Sequence, residues 1–299
     1  MPTFEIAALL ASVCFAAGGM LAVAPSRALG AIRFNRIRML LMTILLSLVA
    51  WLTGGFQTIS GADVLPLVLS GLIGIYLGDT FLFAGLRRVG PRRNAIMFAL
   101  NAPLAALFGV WFLDEILPPL VLIGCLVVTA GIMVAIGFGR RRSGEDSWDL
   151  VHGSLPVGLA FGFLAAAGQA AGLLLSRPMM EQGVDPVAGS AVRVLVGCLA
   201  LFVTYEVQRF KQPRDHSVWT RQHLLQTFGS SVVGMGVGMT LVMFALSGGE
   251  AGVVATLSSA APVVMLPLLW VTARRAPAIG AWLGAIAVVL GTGLIVAVR

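Results

Sequence analysis

Long apolar runs separated by short polar connections dominate this chain. Ten such runs lie near 4–24, 34–55, 64–86, 94–113, 118–138, 155–176, 186–206, 224–246, 251–272 and 277–298. Each matches the roughly 20 residues a helix needs to cross a hydrocarbon core about 30 Å thick. A membrane barrel would instead show short segments alternating every second residue, and no such alternation is visible. Gly and Ala recur through the runs, as helices packing closely in lipid require. The pattern predicts an all-α integral membrane protein of ten transmembrane helices.

The pattern also occurs twice. Ser26–Arg27 aligns with Ser176–Arg177, placing Gly18 against Gly168. Ala31-Ile32-Arg33 aligns with Ala191-Val192-Arg193, and Gly78-Asp79-Thr80 with Gly238-Met239-Thr240. Pro103 pairs with Pro262, Trp111 with Trp270, and Gly131 with Gly291, all at a spacing of about 150–160 residues. Five helices is an odd number, so the second copy must enter the membrane from the opposite side. The expected organisation is a five-helix repeat over 1–139, a cytoplasmic linker over 140–152, and a second, inverted five-helix repeat over 153–299. Inverted repeats are a common plan of secondary transporters, and a transporter is the reading this pattern favours.

Composition agrees: 58% of residues are hydrophobic and 11% charged, against about 25% charged in soluble domains. The net charge of +7 would suit a nucleic-acid binder, but its distribution does not. Seventeen of the twenty Lys and Arg fall in alternate connections, leaving Arg177, Arg193 and Arg299 elsewhere. Basic connections stay in the cytoplasm, so odd-numbered loops are expected inside, both termini outside, and no nucleic acid is bound. The first run lacks the positively charged leader of a signal peptide and is expected to be retained. Cys14, Cys125 and Cys198 are isolated, without disulfide or metal spacing, and are expected to pack.

Four stretches carry a family resemblance: Leu86-Arg87-Arg88-Val89-Gly90-Pro91, Asn101-Ala102-Pro103-Leu104, Trp111-Phe112-Leu113-Asp114-Glu115, and Pro118 with Gly124 through Gly131. Together they resemble the EamA-type branch of the drug/metabolite transporter superfamily, which includes bacterial (aromatic) amino-acid exporters. The second half carries Arg274–Arg275 where the family usually has glutamate, which favours a topological or loop-capping role for Glu115. The resemblance implies a ten-helix export carrier for small metabolites in the bacterial inner membrane. It makes helices three, four, eight and nine the moving gates and five and ten the support.

Polar groups inside a membrane are costly and therefore informative. Asp79 is the main candidate, as an anchor for a substrate amino group or a proton, with Tyr76 and Thr80 beside it. The alternatives are capping a neighbouring helix or pairing with Arg87 or Arg88. Asn101 precedes Pro103, which frees a backbone carbonyl; Thr256, Ser258 and Ser259 precede the matched Pro262. Each set could face a ligand or bond a neighbouring helix. Gln169, alone among alanines, either glues two helices or lines a cavity. Phe15 and Phe98 could form its apolar wall. Arg193 could bind a carboxylate, but snorkelling outward or pairing with Asp185 or Glu181 is the simpler reading.

No GxxxxGK[ST] phosphate loop or H-E-x-x-H motif is present, so no cofactor, metal or catalytic residue is expected. The leading expectation is alternating-access export of small metabolites, amino acids foremost, by a monomer embedded in lipid. Proton-coupled efflux of hydrophobic cationic drugs is the runner-up, and would require Asp79. A membrane enzyme acting on a lipid-linked substrate is the reading from another class.

Overall fold

The computed structural model describes residues 3–29, 31–138, 154–209, 220–264, 267 and 278–297. Among these, nine helices are long and apolar enough to cross a membrane. In order they are Thr3–Ser26, Arg33–Leu52, Gly61–Val89, Arg93–Phe112, Pro119–Phe138, Leu155–Glu181, Pro186–Thr204, Arg221–Leu246 and Ile279–Ala297. The remaining expected span is described as the shorter apolar helix Ala251–Val264. It is the ninth span in chain order, which makes Ile279–Ala297 the tenth. Trp270, Arg274–Arg275 and the linker 140–152 lie outside the described residues.

Helical backbone continues through Gly78–Phe98, yet this run is not straight. Asn94 Nδ2 donates to the Leu82 carbonyl at 3.0 Å. Twelve residues of straight helix would separate them by about 18 Å, so the chain reverses between them. The third and fourth spans are therefore a hairpin, tied near its turn by one buried asparagine.

The third and eighth spans each contain a π-helical segment, at Gly71–Leu77 and Ser231–Gly238. Such segments widen the helix by one residue per turn, and nothing in the apolar pattern announces them. They fall at matched positions of the two halves. Each is contacted by the first span of the other half through matching groups. Ser230 Oγ donates to Gly18 O at 2.8 Å, and Ser70 Oγ donates to Gly172 O at 2.5 Å. A Cβ on Gly18 would lie 2.7 Å from Gly234 Cα, and one on Gly172 would lie 2.6 Å from Gly74 Cα. Gly172, not Gly168, is thus the structural counterpart of Gly18. The alignment through Ser26 and Ser176 slips by one helical turn, because alanine and glycine leave that stretch without a distinctive register.

The fifth and tenth spans pack against each other as a separate pair. Gly124 meets Gly291, and Gly131 meets Gly284, through direct backbone contacts. The crossing is antiparallel, as an inverted repeat requires. The fold is an all-α membrane bundle of two inverted five-helix repeats, with the third, fourth, eighth and ninth spans around its centre.

Candidate functional site: a central cavity between the repeats

A cavity of about 430 Å³ lies between the two halves, within the range of small-molecule sites. Phe15, Phe98, Ile132, Leu173, Met235 and Met239 give it apolar walls. Leu82, Ala95 and Ile136 also line it, and these stand close in the chain to the 85–93 turn and to Phe138 at the end of the fifth span. The cavity therefore sits toward the face that carries the basic connections.

Its polar groups converge from several helices. Asp79 follows the π segment of the third span by two residues, and Asn35 and Arg38 lie one turn apart on the second. Asn35 Nδ2 donates to Asp79 Oδ2 at 3.1 Å, and Arg38 donates through a terminal nitrogen to Asn35 Oδ1 at 3.1 Å. Asn35 is buried and so acts as a fixed bridge, while Arg38 and Asp79 both face the cavity. Arg38 Nε has no hydrogen-bond partner among the described residues, leaving donor capacity for a bound anion. Two opposite charges are held in one cavity without direct neutralisation by contact.

At the centre, Ser259 Oγ donates to Asn101 Oδ1 at 2.9 Å. This bond joins the fourth and ninth spans, and both residues line the cavity. Helix is interrupted at Ala99–Leu100 and again at Ser259–Ala260. Pro103 and Pro262 cannot donate backward to residues 99 and 258, and these two residues also line the cavity. The matched prolines open backbone polarity toward it from both halves.

Of the residues expected at a site, Phe15, Asp79, Phe98, Asn101, Gln169, Ser258 and Ser259 are brought together here. Three are not. Tyr76 turns away to share a 2.6 Å hydrogen bond with Thr204 on the seventh span. Thr80 is exposed and donates to the Tyr76 carbonyl, while Thr256 is buried and donates to the Gly252 carbonyl. Sequence reading missed Arg38, because it sits among arginines that report topology. Its signal was position: about one and a half turns into the second span, on the face of Asn35. Asp79 is held by Asn35; Arg88 instead stacks over Phe161, 4.8 Å from the ring centre.

The opposite face carries a buried ion pair. Arg177 at the end of the sixth span meets Glu115 Oε1 through Nε at 2.9 Å and a terminal nitrogen at 3.0 Å. The same Glu115 oxygen accepts from the Ala251 N–H at 2.9 Å, and Arg177 donates to Gly249 O at 2.9 Å. Glu115 thus caps the start of the ninth span, in accord with a loop-capping role. Arg193 departs from expectation. It is fully buried and, among the described residues, neither reaches the surface nor pairs with a carboxylate; Asp185 instead accepts from the Ala188 N–H at 2.8 Å, and Glu181 lies 3.8 Å from Arg177. Among the described residues no three His, Cys, Asp or Glu side chains gather as a metal site would require.

Comparison with known proteins places this architecture. The EamA-like transporter family matches twice, over residues 3–137 and 156–297, one match for each repeat. One solved structure, described only as a crystal structure of a protein, superposes with a TM-score of 0.76 at 18% identity. It covers 99% of this chain and 96% of its own, and at that identity shows the fold alone. No curated protein matches the chain. The family consists of membrane transporters, which sets aside the lipid-linked enzyme. With both halves matched almost end to end, the chain belongs to the EamA-like transporter family.

Proposed function

We propose that the protein exports small metabolites, amino acids foremost, across a bacterial inner membrane by alternating access. The observation that carries this reading is the pairing of Arg38 and Asp79 across Asn35 in one cavity with aromatic walls. An amino acid is a zwitterion carrying a side chain. Its ammonium fits Asp79, its carboxylate fits the free donors of Arg38, and its side chain fits between Phe15 and Phe98. Fixed charges this deep in a membrane are kept where they meet a substrate or each other. A hydrophobic cation suits the cavity less well, because Arg38 repels the charge that Asp79 attracts.

The basic connections belong in the cytoplasm, so the cavity faces the cytoplasm and the Glu115–Arg177 contact closes the outer face. That is the loading state of an exporter. Transport then requires the third, fourth, eighth and ninth spans to rock around Asn101 and Ser259 while the fifth and tenth stay paired. One chain supplies both repeats, so a monomer suffices.

The test is counterflow of labelled amino acids into proteoliposomes preloaded with unlabelled ones. Saturable exchange, weakened by Asp79→Asn and by Arg38→Met, is the expected result. Exchange of a hydrophobic cation that needs Asp79 but not Arg38 would instead select the drug-efflux reading.

A further inference from the structure

We propose that Arg193 is a second carboxylate-binding group, set behind Met239 on the outer side of the cavity. The proposal rests on the reading above, that the cavity admits a substrate carrying a carboxylate. Arg193 stands seven residues into the seventh span, roughly 10 Å along it, and its relative exposure is 0%. One terminal nitrogen donates to the Met243 sulfur at 3.2 Å and the Met239 sulfur at 3.6 Å. Nε and the other terminal nitrogen have no partner among the described residues.

Thioether sulfur is a weak acceptor, and a guanidinium does not shed its proton in a protein. A buried charge with such partners is costly, and a methionine in its place would pack against Met239 and Met243 without that cost. A negative charge is therefore missing. The two halves show where it belongs. At the spacing of 160 that relates Ser70 to Ser230, Asp79 corresponds to Met239. At the same spacing Arg193 itself corresponds to Arg33 and not to Arg38; what differs between the halves is that the third span presents a carboxylate at this position and the eighth, beside Arg193, a thioether. The third span backs Arg193 closely, since a Cβ on Gly74 would lie 3.3 Å from the unpartnered nitrogen and 3.0 Å from Gly172 Cα, so a ligand can reach Arg193 only from the Met239 side.

Met239 both lines the cavity and contacts Arg193, so one unbranched, adaptable side chain separates the two. A substrate carboxylate that displaces the Met239 sulfur reaches Arg193. Arg38 and Arg193 then act as successive stations, on the loading and release sides.

The experiment is thermal unfolding of the purified full-length protein titrated with benzoate, phenylalanine or phenethylamine. Benzoate is expected to stabilise the wild type. In an Arg38→Met background, which removes the first carboxylate site, Arg193→Met should unfold at an equal or higher temperature, need about tenfold more benzoate, and keep its response to phenethylamine. Arg193→Lys should recover part of the response. Met239→Asp supplies the missing charge internally and should abolish the benzoate response at Arg193 while raising stability. Unchanged benzoate affinity in Arg193→Met overturns the proposal, as does a wild type indifferent to saturating benzoate. Should Arg193→Met fail to fold, unchanged benzoate affinity in Met239→Asp overturns it equally. Absence of amino-acid counterflow together with an Arg193-dependent benzoate response would sink the amino-acid reading and leave the anion site standing.

Discussion

At the scale of single residues, the proposed function rests on how a few charges are kept in a membrane. Asp79 and Arg38 are positioned by Asn35, whose amide serves as donor to one and acceptor to the other. A charge-assisted hydrogen bond contributes about 1.5–3 kcal/mol, which corresponds to about tenfold to a hundredfold in affinity. Asp79→Asn and Arg38→Met should therefore each raise the half-saturating substrate concentration for counterflow by about that factor. Asn35→Leu should do so without removing either charge; equal affinity in this variant would show that the bridge does not position the pair. Asp79 was legible in the sequence because a lone carboxylate in an apolar run stands out. Arg38 was not, because four arginines in one connection read as a topology signal and only depth and facing direction separate them. Arg193 was misread for a related reason. Snorkelling assumes a path to water, whereas Gly71 and Gly74 provide an inward slot that only the tertiary packing reveals.

Among elements, the contacts that set the cavity's shape are close helix crossings through glycine. Gly18 and Gly172 press against the π segments of the eighth and third spans, each beside a serine that donates to its carbonyl. Any side chain at Gly172 would push the sixth span off the third. Gly172→Val should destabilise the protein by about 1–3 kcal/mol, read as a lowered unfolding midpoint in detergent. Ser70→Ala should cost less, about 1 kcal/mol, since Ser176 also bonds the Gly172 carbonyl at 3.0 Å. An unchanged midpoint for Gly172→Val would mean that the crossing is looser than described. Apolar length and glycine content made the spans readable, and the matched prolines foretold the breaks near Asn101 and Ser259. The π segments were not readable, since their extra residue is stabilised by contacts from another helix and leaves hydropathy unchanged. The same low-complexity composition let the alignment slip from Gly172 to Gly168.

Across the whole molecule, the two halves share one plan but have diverged in chemistry. The membrane class, the duplication and the inversion followed from run length, spacing and the alternation of basic connections, all of which act over the full chain. Local roles did not follow, because they depend on which faces meet. The face opposite the basic connections is held by Glu115, Arg177 and the turn before the ninth span. Breaking a buried ion pair by removing one partner costs about 3–5 kcal/mol, and here the loss falls on the face that the proposed function makes the outer gate. Glu115→Ala should therefore shift the protein toward an outward-open state. Faster reaction of a cysteine placed at Arg177's neighbour Leu174 with an impermeant thiol reagent from the outer side would report that shift, and an unchanged rate would contradict it.

The most direct test of the account is single-sided access to the cavity. Ser259 would be replaced by cysteine in a chain freed of Cys14, Cys125 and Cys198 and reconstituted in sealed vesicles of known orientation. An impermeant thiol reagent should label it from the face of the basic connections in the resting protein. Labelling should pass to the opposite face when Glu115→Ala is added, and should be slowed by saturating amino acid. Labelling from both faces at once in the resting protein would mean a continuous pore, and would contradict a carrier built from two rocking repeats.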